Sequence, residues 1–108
     1  MANPQQGEVL FEALNNIYTL KLTSRAVVAI ENDMDKGIGG ILQEVESGST
    51  RVIAAILRHT IVERVKSGTE FDIIDDIGIT ALGEPIGKAI ELSGMFKGAV
   101  ESDAGEGK

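Results

Sequence analysis

The chain has 108 residues, 43% of them hydrophobic, with Phe11, Tyr18, Phe71 and Phe96 as its aromatic residues, which is enough for one small domain with an aliphatic core. Seventeen acidic residues against ten basic ones give a net charge of -7, which repels phosphate backbones and anionic surfaces and argues against nucleic acid and membrane as partners. Cysteine is absent, which removes disulfides, thiolate catalysis and thiolate-bound zinc and fits a cytoplasmic setting.

Residues Met1 to Gly7 carry neither a basic segment nor an apolar signal core, and no stretch approaches the ~20 apolar residues of a membrane span, so a soluble protein is expected. Val9 to Ala13 and Ile17 to Leu22 then read as two short strands turning at Asn15-Asn16. Period-two spacing puts Val9, Phe11 and Ala13 on one face and matches them with Tyr18, Leu20 and Leu22. A lone hairpin is marginal in water, so this face needs helices over it, or its edge needs another chain.

Thr23 or Ser24 is the expected cap of a helix over Arg25 to Met34, with Ala26, Val27, Ile30 and Met34 inward. After Gly37, the stripe Ile38, Ile41, Leu42 and Val45 predicts a second short helix, closed by Ser47-Gly48-Ser49. The strongest pattern runs from Thr50 to Lys66, with Val52, Ile53, Ile56, Leu57, Ile61 and Val65 facing the interior. Phe71, Ile74 and Ile77 mark a brief helix that ends at Gly78, its other side bearing Asp72, Asp75 and Asp76. A last helix follows Thr80, with Pro85 in its first turn and Leu82, Ile86, Ala89, Ile90 and Leu92 inward. The expected fold class is therefore α+β, an N-terminal β-hairpin packed against a compact bundle of four or five short helices. It forms a single domain over residues 1–96, and 97–108 reads as a flexible, glycine-rich acidic tail.

A search for chemistry finds little. His59 is the single histidine and stands near Arg58 and Glu63 on its helix, the pattern of a surface hydrogen-bonding residue rather than a general base. The serines fall at caps and loops, with no neighbourhood that activates a nucleophile. Asp33, Asp35 and Glu44 share the outer spacing of a calcium loop, but Gly37 removes a ligand oxygen and Ile38 sits where the sharp turn requires glycine. Gly37, Gly39 and Gly40 lack the spacing of a nucleotide-binding loop, so no catalytic residue, metal or cofactor is expected. The candidate partner-binding residues are Asp72, Asp75 and Asp76, an acidic helix face suited to steering a basic partner.

Met1-Ala-Asn-Pro4, Gly7-Glu-Val9, Tyr18-Thr-Leu-Lys-Leu-Thr23, Ala29-Ile-Glu31, Gly39-Gly-Ile-Leu42 and the stretch from Gly83 to Ile90 resemble the gene-transfer-agent-type phage tail assembly protein family, over roughly residues 1–96. The resemblance implies a noncatalytic tail assembly chaperone of a phage, prophage or gene transfer agent. Such a protein would bind tape-measure or other tail proteins in the host bacterial cytoplasm before the tail tube polymerises. Some relatives are labelled tail-tube proteins, so a structural subunit of a tube or terminator within the assembled tail is the alternative, and a small enzyme is a distant third. A weak homo-oligomer is also expected, because a hairpin edge and aliphatic helix faces exceed what so small a domain readily covers.

Overall fold

The computed structural model describes residues 6–96; the predicted acidic tail at 97–108 lies outside them. The fold is α+β: a two-stranded antiparallel hairpin, β1 (Glu8–Ala13) and β2 (Asn16–Lys21), followed by α1 (Ser24–Met34), α2 (Ile38–Glu46), α3 (Thr50–Thr60) and α4 (Thr69–Ser93).

The hairpin buries the face that the alternation selects: Phe11, Ala13, Tyr18, Leu20 and Leu22 are buried, with Val9 partly so. Phe11 pairs with Tyr18 across the strands, their ring centroids 5.6 Å apart and tilted by 31°. The turn, however, lies one residue earlier than expected. Ala13 pairs with Asn16, so Leu14 and Asn15 form the loop, and both have positive φ (54° and 59°), as a two-residue hairpin turn of the right twist requires. A leucine in that region is strained by roughly 1 kcal/mol. The strained amide is held from a distance, because Leu14 N–H donates to Asp76 Oδ2 at 2.8 Å.

α1 and α3 start at side-chain caps, and α2 starts at a glycine without one. Thr23 Oγ1 accepts from Ala26 N–H at 3.1 Å, Gly37 begins α2 in an extended conformation, and Ser49 Oγ accepts from Val52 N–H at 3.4 Å. Their inward residues converge on one core in which Leu20, Ile30, Ile41, Ile53, Leu57, Ile73, Leu82 and Ile86 are almost wholly removed from water.

The helix expected over Thr50 to Lys66 stops at Thr60. Thr60, Ile61 and Val62 are consecutive β-branched residues, which crowd a helix and suit extended backbone. Thr60 Oγ1 turns back to donate to Ile56 O at 2.6 Å, and the chain then runs beside β2. Ile61 bridges Leu20, Val62 N–H donates to Thr19 O at 2.8 Å, and the Glu63 carboxylate accepts both Thr19 N–H (2.8 Å) and the Thr19 hydroxyl (2.7 Å). Ile61 is thus only partly buried, and Val65 is exposed rather than interior.

α4 is two helical pieces joined at Gly78, whose φ of 86° and ψ of 161° are open essentially to glycine alone. The expected stop at Gly78 is therefore real, yet the chain resumes helix at once. Pro85 falls well inside the second piece rather than in its first turn. In the first piece Ile73 and Glu70 point inward, while Phe71, expected in the core, is half exposed.

Burial pushes the Glu63 carboxyl up, but the two Thr19 donors outweigh it and hold it below the usual glutamate range. A carboxyl depressed by folding contributes stability that is complete above the unfolded pKa and disappears as pH falls through the folded one. Urea titrations from about pH 7 to about pH 3 should find Glu63→Gln less stable than the parent at neutral pH, with the gap closing in acid.

Candidate functional site

The three carboxylates singled out by sequence lie on the first piece of α4 but do different things. Asp72 stands in its first turn, where a negative charge favours the helix N-terminus. Asp75 is exposed, and like Asp72 it has no ion-pair partner among the described residues. Asp76 is tied to the turn amide of Leu14. An outward acidic face thus consists of Asp72 and Asp75, with Asp76 positioning the hairpin.

His59 belongs to a charged cluster between three helices. Its Nε2 donates to Asp33 Oδ2 of α1 at 3.0 Å, and the same carboxylate oxygen pairs with an amino group of Arg58. Arg58 Nε donates to Glu70 Oε2 of α4 at 2.7 Å, and its guanidinium lies 5.9 Å from the centre of the Phe71 ring. Glu70 is only 6% exposed, so Arg58 supplies the counter-charge for a buried carboxylate. The hydrogen bond from His59, aided by Arg58, holds the Asp33 carboxyl below its ordinary range against the opposing effect of burial. Glu63, which a helix continued to Lys66 would bring near His59, is instead the clamp on Thr19.

Acidic residues around the α1–α2 junction shape the backbone there or pair within the protein. Asp35 ends α1 in the left-handed conformation (φ 54°), Glu44 pairs with Lys36, and Glu31 Oε2 accepts from Ile38 N–H at 2.9 Å. Among the described residues, no group of three or more histidine, cysteine, aspartate or glutamate side chains is placed to hold a metal ion. Nor is any described helix long and apolar enough to cross a membrane.

Among the described residues, the outer edge of β1 is left open at Leu10. Thr19 directs its N–H and C=O away from β1, toward Glu63 and Val62. In an antiparallel ladder the residue opposite does likewise, so Leu10, the partner of Thr19, turns its N–H and C=O outward on the far side. Neither group has a partner among the described residues. Beside this edge runs a groove of about 560 Å³, with β1 from Val9 to Glu12 as one wall and Ile77, Ala81, Glu84, Pro85 and Lys88 of α4 as the other. The groove and the edge together form the candidate site. On the outer face of the hairpin, Leu10 (44% exposed) and Ile17 (58%) add apolar surface, and Val62 (56%) stands next to Thr19.

Comparison with protein-family models, curated proteins and solved structures finds no match. The candidate site therefore stands on geometry. The sequence implies an uncovered hairpin edge in general terms, without marking the strand that carries it. The Thr60-Ile61-Val62 run signals extended backbone after α3, though not the strand it pairs with.

Two outcomes follow for stability. Arg58→Ala strands the Glu70 carboxylate and should cost about 3 kcal/mol in denaturant unfolding, whereas Asp33→Ala should cost under about 1 kcal/mol. Asp76→Ala should cost about 1 kcal/mol through the lost bond to Leu14, against a change within about 0.5 kcal/mol for Asp75→Ala.

Proposed function

We propose that this protein is a noncatalytic assembly protein of a phage-type tail, which binds a segment of tape-measure protein or another tail protein before the tail tube polymerises. Two supports are independent of each other: the family resemblance of residues 1–96, and a surface suited to an extended polypeptide. The observation that carries the reading is the outward N–H and C=O of Leu10 above the groove between β1 and α4. A bare edge gives main-chain hydrogen bonds to any extended segment, and the groove gives alternate side chains somewhere to go. Such contacts capture an unfolded or partly folded partner and release it when the partner finds its own assembly contacts. No step of this cycle needs covalent chemistry.

Asp72 and Asp75 add a negative surface near the tip of the hairpin, and such charges act more on encounter rate and partner choice than on affinity. Asp76 is left out of that role in the design of tests, because altering it also releases the turn.

Coexpression with an otherwise insoluble tape-measure fragment provides the measurement. The expected result is a soluble complex that copurifies, with the protein absent from mature particles. No rescue by the folded protein, or a stoichiometric ring of it within purified tails, overturns the reading in favour of none or of a tube subunit respectively. Asp72→Lys with Asp75→Lys should slow complex formation by about two- to tenfold at low salt and by less at high salt, as screening dictates.

A further inference from the structure

Leu10 offers one N–H and one C=O on the free side of β1, the minimum for docking an added strand. Across the gap, Ile77, Ala81 and Pro85 give the α4 wall an apolar stripe. Pro85 also has no N–H to return to the Ala81 carbonyl four residues earlier, so the helix has a backbone acceptor without its usual donor on this wall. Two carboxylates, Glu12 on β1 and Glu84 on α4, flank the groove against one ammonium, Lys88. None of the three has an ion-pair partner among the described residues.

From this charge balance we infer that the groove takes an extended segment of another protein in which apolar residues alternate and basic residues flank them, added as a strand to the free edge of β1. The inference rests on the binding role proposed above and names the chemistry of the segment bound. Inward side chains of the added strand meet Ile77, Ala81 and Pro85. Outward ones lie alongside Leu10, and a lysine or arginine two positions away reaches Glu12. Acidic segments are rejected by the same carboxylates, and this chain is itself acidic overall, with a net charge of -7.

The test uses the full-length, nitrogen-labelled protein and an end-blocked peptide, Lys-Val-Leu-Val-Lys, with two comparison probes: Glu-Val-Leu-Val-Glu, and the lysine peptide N-methylated at leucine. Expected are a shift and slowed hydrogen exchange of the Leu10 amide with the lysine peptide, and no response to either comparison probe. Glu12→Lys with Glu84→Lys should raise Kd about three- to tenfold at low salt. Binding that leaves the Leu10 amide unchanged, or equal binding of the acidic and N-methylated probes, overturns the inference on the unaltered protein, whatever the variants do to folding. So does a Leu10 amide already protected without peptide, whether the protection tracks a doubled mass or vanishes on deletion of 97–108. Peptide binding at Leu10 without rescue of a tape-measure fragment removes the tail reading and keeps this one; rescue with Leu10 unmoved does the reverse.

Discussion

The architecture depends on how the two outward groups of Thr19 are satisfied. A two-stranded hairpin leaves unpaired backbone on both of its sides, and here one side is closed by the chain itself. Val62 gives its N–H to the Thr19 carbonyl, and the Glu63 carboxylate takes the Thr19 N–H together with its hydroxyl. This short stretch acts as a third strand reduced to a single bridge. It also fixes where α3 must end, and hence how α3 and α4 sit against the inner face of the hairpin.

Electrostatics divide the surface into charges paired between elements and charges with no ion-pair partner among the described residues. Asp33, Arg58, His59 and Glu70 join α1, α3 and α4, and Lys36 with Glu44 joins the loop after α1 to α2. Asp72, Asp75, Glu12 and Glu84 belong to the second group. With seventeen acidic residues against ten basic ones, the protein presents net negative potential to whatever approaches.

The faces of the hairpin and the starts of α1 and α3 were legible in the sequence, because alternation and side-chain capping are local signals, whereas α2 and the second piece of α4 begin without a capping side chain to mark them. The register of the hairpin was not legible. Turning at Asn15-Asn16 or at Leu14-Asn15 pairs odd positions with even ones in either case and buries the same face, so the pattern of apolar residues cannot separate them. The observed register comes with a hydrogen bond from Asp76, 62 residues away, which no window of sequence contains. α3 shows the opposite failure: Ile61 and Val65 continue the helical spacing of Leu57, so periodicity ran past the β-branched run that ends the helix. The candidate site was hidden for a related reason. Which edge of β1 and β2 is free depends on Val62 and Glu63 reaching Thr19, and the groove depends on how the second piece of α4 lies along β1.

The break at Gly78 gives this arrangement a mechanical meaning. The first piece of α4 grips the hairpin at its tip, through Asp76 and Leu14. The second lies along it to its root, where the backbone at Gly7 passes so near Leu92 that a Cβ there would stand 3.6 Å from the Leu92 carbonyl oxygen. The articulation in α4 therefore falls between two anchor points on one stiff ribbon, so any bending at residue 78 is also a twisting of the hairpin and a change in the width of the groove beside it.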